Sequence, residues 1–580
     1  MVNGPEGNGI DWDAVNWRAC ELEVQRLRQR IFKAAQEQDW AQVRNLQKLM
    51  LRSRSNTLLS VRQATQRNAG RVTAGVDGVV ALTSEDRAKV AVQVHQGRGT
   101  WKPLPVKRVY IPKANGKQRP LGIPVIVDRC HQGRVRNALE PEWEARFEHR
   151  SYGFRPGRGC QDAIEMLFNT LRKGSTRVWI LDADLSAAFD KIDHDRLLSA
   201  LGMFPGRKQI GQWLRAGVFE PGKGFSSTKE GTPQGGVISP LLLNVALHGL
   251  EEAAGVRLAT APSQRAVGQT RPDSTVLVRY ADDFVVCCFT EQQAREVKAR
   301  LAEWLKPRGL AFNEEKTRVV HLEDGFDFLG FNLRRYLVGK LLIKPSKAAV
   351  KRHRERLSEV MHGLRGSNEK AVIVRLNPII RGWAAYYRGV VAAEVFKDID
   401  IHMWKLTYKW ACFRHPKKSK HWISGRYFGK YNKFRNDYWV FGDRDSGTFL
   451  VKSSWTPIVR HTLVKGAASP DDPALTEYWV KRRRRIKPAL DSYNLRRLDR
   501  QEGRCPLCGE NVLTPHQPPQ SPLEWERWWQ VIARKAISAD YLRHAGRMTP
   551  RGDQTRLVHA GCARRHASMR TSLRLAMHRI

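Results

Sequence analysis

The stretch that decides the fold is 276-VLVRYADDFVVCC-288, an apolar run interrupted by two adjacent aspartates, Asp282 and Asp283. The Val, Leu, Tyr and Phe residues on both sides of the pair predict a buried β-hairpin with the two acids at its tip. Carboxylates in apolar surroundings are costly unless a partner compensates their charge. The hairpin therefore predicts a cation site.

A second predicted strand also ends in an acid, because 177-RVWILDADLSAAFD-190 places Asp184 directly after an apolar run. Carboxylates that are brought together raise one another's pKa unless a cation neutralises them. Magnesium suits such a cluster, since it is commonly held by one or two carboxylates together with substrate phosphates. Two such ions stabilise both the attacking and the leaving oxygen of a phosphoryl displacement. The three aspartates predict two-metal nucleotidyl transfer.

The composition points to a nucleic-acid partner. The 580 residues carry a formal net charge of +43, which is typical of proteins that bind a polyanion. No apolar run of about 20 residues and no lipidation signal is present in the sequence, so no membrane partner is expected. The first residues do not resemble a signal peptide, and the nine cysteines are mostly scattered. We therefore expect a cytoplasmic protein without a disulfide framework.

Predicted strands and helices are intermixed without a regular βαβ repeat, which favours an α+β fold. Helical periodicity covers residues 18–52 and 291–306, and 103-PLPVKRVYIPKANGKQRPLGIP-124 predicts a hairpin. From about residue 345, basic residues alternate with Trp and Tyr. A Cys/His pattern after residue 503 predicts a separate small module.

At this point the chain resembles the reverse transcriptases of mobile group II introns. The resemblance is carried by blocks whose order and spacing match that family: RNAGRVTAGVDGV, IPKANGKQRPLGIP, SYGFRPGRG, DADLSAAFD, GTPQGGVISPLLLN, YADD and LAFNEEKT. Further on, LNPIIRGWAAYYRG and WACFRHPKKSKHWISGRYF resemble the family's thumb-like maturase domain. The resemblance implies a right-hand polymerase with fingers and palm, a helical thumb and a small zinc-binding module.

The family's palm roles fall on particular residues. Asp184, Asp282 and Asp283 would be catalytic and hold two Mg²⁺ ions, and the Leu185 carbonyl would add a ligand. Phe189 matches the aromatic gate that excludes a ribose 2′-OH, although a Phe beside a strand end is more often core. The remaining substrate-binding candidates, for the dNTP, its triphosphate and the template, are Lys113, Arg119, Gln234, Gly235, Gly236 and Lys316.

The resemblance also divides the chain and suggests its partners. In the thumb, cations would contact phosphate and aromatics would stack on bases, although helical-bundle core is the commoner use of Trp and Tyr. The implied partners are group II intron RNA, target DNA and dNTPs, and the oligomeric state is left open. The expected domains are a basic N-terminal helical extension (1–65), fingers and palm (66–340), thumb or maturase domain (341–428), basic DNA-binding region (429–500) and zinc module (501–580).

The C-terminal pattern CPLCG (505–509) and HAGC (559–562) predicts a structural zinc site. Its expected ligands are Cys505, Cys508, His559 and Cys562, with His516 and His566 as alternatives. The pattern resembles the HNH endonuclease of some group II intron proteins. The module departs from that pattern where Arg543 precedes His544, at Gln554 and at Ala563, so we expect DNA cleavage to be lost and zinc binding to survive.

The resemblance thus implies a group II intron-encoded reverse transcriptase and maturase, which promotes splicing and copies the intron RNA into cDNA during retrohoming. One alternative is a host-adopted relative that acts in DNA repair or phage defence. The other is a non-enzymatic RNA splicing chaperone.

Overall fold

Helices and strands are mixed along the chain. A computed structural model describes residues 10–97, 99–112, 118–259, 270–336, 339–432, 435–485, 498–509, 512, 519–534, 538–541, 555–558 and 562–563. Contacts among the residues it describes divide the chain into two units. The first unit is Met1–Leu171, Ser175–His321 and Val464–Arg482, and the second is Arg172–Gly174, Leu322–Leu463 and Arg483–Ile580.

The first unit is built from the following elements. Its helices are α1 (Trp17–Gln36), α2 (Trp40–Arg52), α3 (Arg54–Arg62), α4 (Ser84–Gln96), α5 (Ile126–Arg146), α6 (Cys160–Leu171), α7 (Ala188–Lys191), α8 (His194–Ala200), α9 (Arg207–Arg215), α10 (Ser239–Ala246), α11 (Leu250–Ala253) and α12 (Glu291–Leu305). Its strands are β1 (Val106–Pro112), β2 (Gln118–Ile123), β3 (Trp179–Ala183), β4 (Val218–Glu220), β5 (Gly224–Ser226), β6 (Val276–Tyr280), β7 (Asp283–Cys288) and β8 (Arg318–His321).

Two sheets organise the first unit. The central sheet is antiparallel with strand order β6-β7-β3-β8. The hairpin with the aspartate pair therefore lies beside β3, the strand that Asp184 follows. The other sheet has the order β2-β1-β4-β5, and β1 and β2 form the antiparallel hairpin that the sequence predicts. Apolar side chains of α1, α2, α5, α8, α10 and α12 form one core with the central sheet. Burial of that apolar surface is what holds the sheet in place.

The N-terminal helices have clear sequence causes. Asn16, Asp39 and Ser53 cap α1, α2 and α3, and each side chain accepts a hydrogen bond from a backbone N–H in the first turn. The apolar residues of α1 and α2 recur at helical spacing and face α5. The helical periodicity over residues 18–52 therefore corresponds to two helices, α1 and α2.

The second unit contains a small sheet and a group of helices. Its strands are β9 (Phe326–Phe328), β10 (Phe331–Arg335), β11 (Leu341–Pro345), β12 (Phe428–Gly429), β13 (Val440–Phe441), β14 (Ser538–Tyr541) and β15 (Thr555–Val558). Its helices are α13 (Lys347–Gly363), α14 (Glu369–Tyr387), α15 (Ala393–Arg414), α16 (Lys420–Tyr427), α17 (Thr476–Arg485), which begins in the first unit, and α18 (Pro522–Arg534). Strand order β11-β10-β9 is antiparallel.

Candidate active site

The turn between β6 and β7 presents the aspartate pair. Tyr280 pairs with Asp283 across the hairpin, so Ala281 and Asp282 are the two central residues of the turn. Ala281 has φ +59°, as the first central residue of a type II′ turn requires. A positive φ is strained for a residue with a Cβ, and it persists only where the surroundings fix it.

Three neighbours fix this turn. The Gly153 backbone passes so close that a Cβ there would lie 2.2 Å from the Ala281 nitrogen. The Asn244 side chain donates a hydrogen bond to the Gly153 carbonyl at 2.9 Å and accepts one from Arg279 Nη1 at 2.9 Å. The same Arg279 nitrogen donates to the Ala281 carbonyl at 3.2 Å. Buried hydrogen bonds therefore connect both sides of the hairpin tip.

Asp184 follows β3 and is held by the segment before β8. Asn313 donates to it twice, from its backbone N–H to the Asp184 carbonyl at 2.8 Å and from its side-chain amide to Oδ2 at 3.2 Å. The Lys316 ammonium lies 2.6 Å from the same carboxylate oxygen. Asn313 and Lys316 both lie within the motif LAFNEEKT, but the sequence gives no signal that Asn313 orients Asp184.

The three carboxyl groups interact with one another. Burial raises the pKa of Asp283, and the charge of Asp282 and a hydrogen bond with Asp184 raise it further. Burial also raises the pKa of Asp282, while the charges of Arg119 and Lys316 oppose that shift. The hydrogen bond to Asp184 raises the pKa of Lys316. The strands thus bring the acids together, and their negative charges are incompletely compensated.

This donor set suits a hard divalent cation. All the ligands that the cluster offers are carboxylate oxygens, which Mg²⁺ prefers. A divalent cation would remove the repulsion that raises the pKa values of Asp282 and Asp283. Leu185 is buried and forms an isolated bridge with Phe312 beside Asp184. The residues present fit the predicted metal site.

Several predicted nucleotide-binding residues surround the acids. Arg119 is exposed on β2, and its charge is close enough to oppose the rise in the pKa of Asp282 that burial causes. Phe189 is 9% exposed and contacts Phe154 edge-on, at 6.2 Å between ring centroids. Two residues before it, Ala187 has φ +46°.

The predicted glycine loop lies against β2. The Gln234 carbonyl accepts a hydrogen bond from the Gly122 N–H at 2.8 Å, three residues after Arg119. Gly235 has φ +123°, and a Cβ there would lie 2.7 Å from the Gly122 carbonyl oxygen. Only glycine permits this close approach of two backbones.

Other predicted residues lie outside the described residues. They are Lys113, His516, Arg543, His544, Gln554, His559 and His566. Of the predicted zinc ligands, the sulfurs of Cys505, Cys508 and Cys562 lie within 4.8 Å of one another. Cys505 is fully buried, and Val558 and Ala563 pack around it. Three convergent thiols are a donor set that zinc prefers.

Most of the aromatic residues predicted in the thumb are core. Trp383, Tyr386, Tyr387 and Trp410 are at most 5% exposed, whereas Trp404 is 37% exposed. The Tyr386 and Tyr387 hydroxyls donate to the carbonyls of Leu329 and Gly330, at 2.9 and 3.2 Å. Their polar ends are therefore used within the protein.

Across the described ranges, no helix is both long enough and apolar enough to cross a membrane.

Comparison with known protein families agrees with this geometry. Residues 111–333 match the reverse transcriptase (RNA-dependent DNA polymerase) family. This range includes all three aspartates. Residues 12–94 match the N-terminal domain of reverse transcriptase, and residues 350–428 match the group II intron maturase-specific domain.

Individual relatives match about half of the chain. Protein YkfC of Escherichia coli is 35% identical over 321 residues, covering 50% of this chain and 82% of YkfC. Group II intron-encoded protein LtrA of Lactococcus lactis is 31% identical over 322 residues, covering 46% of this chain and 53% of LtrA. An uncharacterized 91 kDa protein in the cob intron of Schizosaccharomyces pombe is 28% identical over 366 residues, covering 50% of this chain and 45% of that protein.

The fold and the acidic site define a nucleic-acid polymerase of the reverse transcriptase class. Since the maturase-specific domain follows the polymerase domain in one chain, the protein belongs to the family of group II intron-encoded reverse transcriptase/maturases. The chain spans about half the length of LtrA.

Proposed function

We propose that the chain copies RNA into DNA by two-metal nucleotidyl transfer at Asp184, Asp282 and Asp283. The observation that carries this proposal is the pairing of β3 with β7, in which Ala183 lies opposite Phe284, so that Asp184 and Asp283 meet although they are far apart in the sequence. With the Leu185 carbonyl, these carboxylates would hold two Mg²⁺ ions. When bound, the ions supply charge stabilisation to the attacking and leaving oxygens of the transferred phosphoryl group.

The surrounding residues would position the dNTP. Arg119 suits the triphosphate because its guanidinium can donate two parallel hydrogen bonds, and Lys113 would add a point charge. Lys316 would release Asp184 when cations bind and would turn toward the pyrophosphate. Phe189 would exclude a ribose 2′-OH by occupying its space, and the backbone of Gln234 and Gly235 would support the nucleotide and the template.

The biological role follows from the two family domains. We infer that the maturase domain binds group II intron RNA and favours its splicing-competent form, since preferential binding stabilises one conformation. The polymerase would then copy the intron from a DNA end during retrohoming, with the basic residues of 429–500 contacting the target DNA. The net charge of +43 supports binding to both nucleic acids.

Primer extension on an RNA template tests the catalytic assignment. Asp282→Asn should lower the Mg²⁺-dependent rate about a thousandfold or more, because several kcal/mol of charge stabilisation depend on the ions. RNA affinity should change little. The control is Asp273→Asn, the same chemical change at a surface acid that pairs with Arg257. Extension by the Asp282 variant at the wild-type rate would contradict the proposal.

We also propose that Cys505, Cys508, Cys562 and His559 bind one structural zinc ion. The module would bind DNA without cutting it, since Ala563 stands where the HNH pattern has a metal-binding histidine. Its convergent sulfurs support the zinc site.

Metal analysis of the purified protein tests this site. The wild-type chain should contain one zinc ion, and Cys505→Ser should lose it and unfold the module without stopping primer extension. Cys412→Ser, on α15, is the matched control and should retain zinc. Absence of zinc from the wild-type protein would overturn the assignment.

A further inference from the structure

Four aromatic residues, three of them exposed, form a group on the second unit. We call Trp404, Tyr408, Tyr438 and Trp439 the aromatic platform. Trp404, Tyr438 and Trp439 are 37%, 60% and 55% exposed. Large aromatic side chains are costly to leave in water, and contiguous exposed ones commonly mark a binding surface.

The platform is ordered by contacts among its own rings. Trp404 and Tyr408 are one turn apart on α15 and stack at 5.4 Å with an interplanar angle of 20°. Trp439 meets Trp404 edge-on at 6.2 Å and packs against the buried ring of Phe428. Two flat faces are thereby held side by side before any ligand arrives, which lowers the entropic cost of binding.

A hydrogen-bonded turn fixes the other part of the platform. The Asp437 carboxylate accepts a hydrogen bond from the Trp439 N–H at 3.1 Å, and the Lys452 ammonium lies 2.9 and 2.7 Å from its two oxygens. Next along the chain, Val440 pairs with Gly429 in the two-stranded sheet of β12 and β13. Tyr438 and Trp439 are therefore exposed on an ordered backbone.

The charge around the platform is positive. The exposed cations of α15 are Lys397, Lys405, Lys409 and Arg414, against the exposed acids Glu394 and Asp398. The Lys430 ammonium lies 5.6 Å from the centroid of the Tyr438 ring. Asp400, also on α15, uses its carboxylate to accept hydrogen bonds from the Ser453 and Ser454 N–H groups. The surface therefore combines flat apolar faces with cations.

We propose that the aromatic platform binds an unpaired stretch of RNA, with bases stacked on Trp404, Tyr438 and Trp439 and phosphates near Lys405 and Lys430. Aromatic faces beside cations are the arrangement by which proteins hold single strands, since every base has a π-face. Double-stranded RNA conceals its bases in the stack and would not use the rings. Trp404 and Tyr408 lie within the maturase-specific match at 350–428, which favours RNA over DNA as the strand. The inference rests on the proposed maturase function and names the part of the RNA that this surface contacts.

Fluorescence anisotropy with the full-length protein and a labelled 12-nucleotide oligo(U) tests the proposal. Trp439→Leu, which keeps an apolar side chain without a π-face, should weaken binding about tenfold, the loss expected for one stacked base. Trp439→Phe should retain most of the affinity. Equal affinities for the Leu and Phe variants would overturn the proposal, whether both lose binding or neither does.

Salt dependence separates stacking from phosphate contacts. Trp439→Leu should leave the slope of log affinity against log salt unchanged, whereas Lys430→Gln should reduce its magnitude by about one. Oligo(dT) of the same length and duplex RNA are competitors; preferential competition by either one would overturn the assignment to unpaired RNA. Splicing of a group II intron RNA in the presence of the wild-type protein tests the proposed maturase function separately, and its failure would leave the oligo(U) result interpretable.

Discussion

At the scale of single residues, the closest constraint on the active-site hairpin is Gly153. A methyl group at this position would lie 2.2 Å from the Ala281 nitrogen and 3.0 Å from its Cα, so the turn with Asp282 must move. We expect Gly153→Ala to destabilise the first unit by about 1–3 kcal/mol. Primer extension should slow by up to about a hundredfold, since small displacements of catalytic groups are costly.

Gly425→Ala is the control for this substitution. Gly425 is an exposed residue of α16, with no atom within 4 Å of the added Cβ. Alanine is the better helix former, so this change should leave stability equal or slightly higher. Unfolding in urea and single-turnover extension measure the two effects. A Gly153 variant as fast and as stable as wild type would show that the turn tolerates displacement.

The sequence revealed the acids of this site better than the residues that hold them. Asp184 and Asp283 adjoin recognisable apolar strands, so the apolar pattern indicates both as candidate site residues, and the pairing of β3 with β7 brings them side by side. Gly153 and Asn313 have no such pattern. Asn313 acts on a carboxylate 129 positions away, and Gly153 is required by the backbone of a distant turn. Contacts of this kind depend on the tertiary fold, which local spacing does not contain.

At the scale of elements, α18 packs tightly against α14. A Cβ at Gly382 would lie 2.6 Å from the Glu526 nitrogen, so the helices touch at their backbones. Glu526 is buried, and its carboxylate lies 2.6 Å from Arg356 Nη2 on α13. The Arg381 guanidinium lies over the Trp529 ring at 5.2 Å. Helix α18, which lies between the two halves of the cysteine pattern, is thus anchored to the maturase helices.

Gly382→Ala should loosen this helix pair. The added methyl meets backbone atoms that cannot rotate away, so we expect a loss of about 1–3 kcal/mol in the docking of α18. Hydrogen–deuterium exchange should then rise in peptides that cover Pro522–Arg534. Gly389→Ala is the control, because its nearest contact would be 3.7 Å, an ordinary van der Waals distance. Unchanged protection of α18 in the Gly382 variant would refute close backbone packing.

Periodicity indicates helices of the second unit but not their partners. Trp525, Trp528 and Trp529 recur at helical spacing and share one face of α18, Pro522–Arg534. That this face meets Gly382 could not be predicted, because a helix pattern does not specify which groove receives it. Trp404 and Trp410 illustrate the same limit: one is exposed and the other buried, although both occur on α15.

At the scale of the whole molecule, a late segment of the chain returns to the first unit. The family resemblance groups 429–500 as one basic region, whereas residues 464–482 belong to the first unit. The Asp162 carboxylate accepts hydrogen bonds from the Val464 N–H and from Arg482, at 2.9 and 2.8 Å. Trp479 covers Gly157, where a Cβ would lie 2.6 Å from the ring. Part of the region expected to bind DNA thus belongs to the folded first unit.

Asp471 provides the test of this attachment, because it pairs through both oxygens with Arg28 on α1, at 2.8 and 2.6 Å. The side chains of Arg28 and Asp471 are 14% and 7% exposed, and Glu140 of α5 is the second acid at this guanidinium. Asp471→Asn removes one charge where water cannot replace it, so we expect the free energy of unfolding of the first unit to fall by about 1.5–3 kcal/mol. Glu477→Gln, the same chemical change at an exposed acid of α17, should leave it close to the wild-type value. Urea unfolding measures the loss, and hydrogen–deuterium exchange over 464–482 locates it. Equal stabilities for the two variants would mean that the segment lies on the unit without holding it.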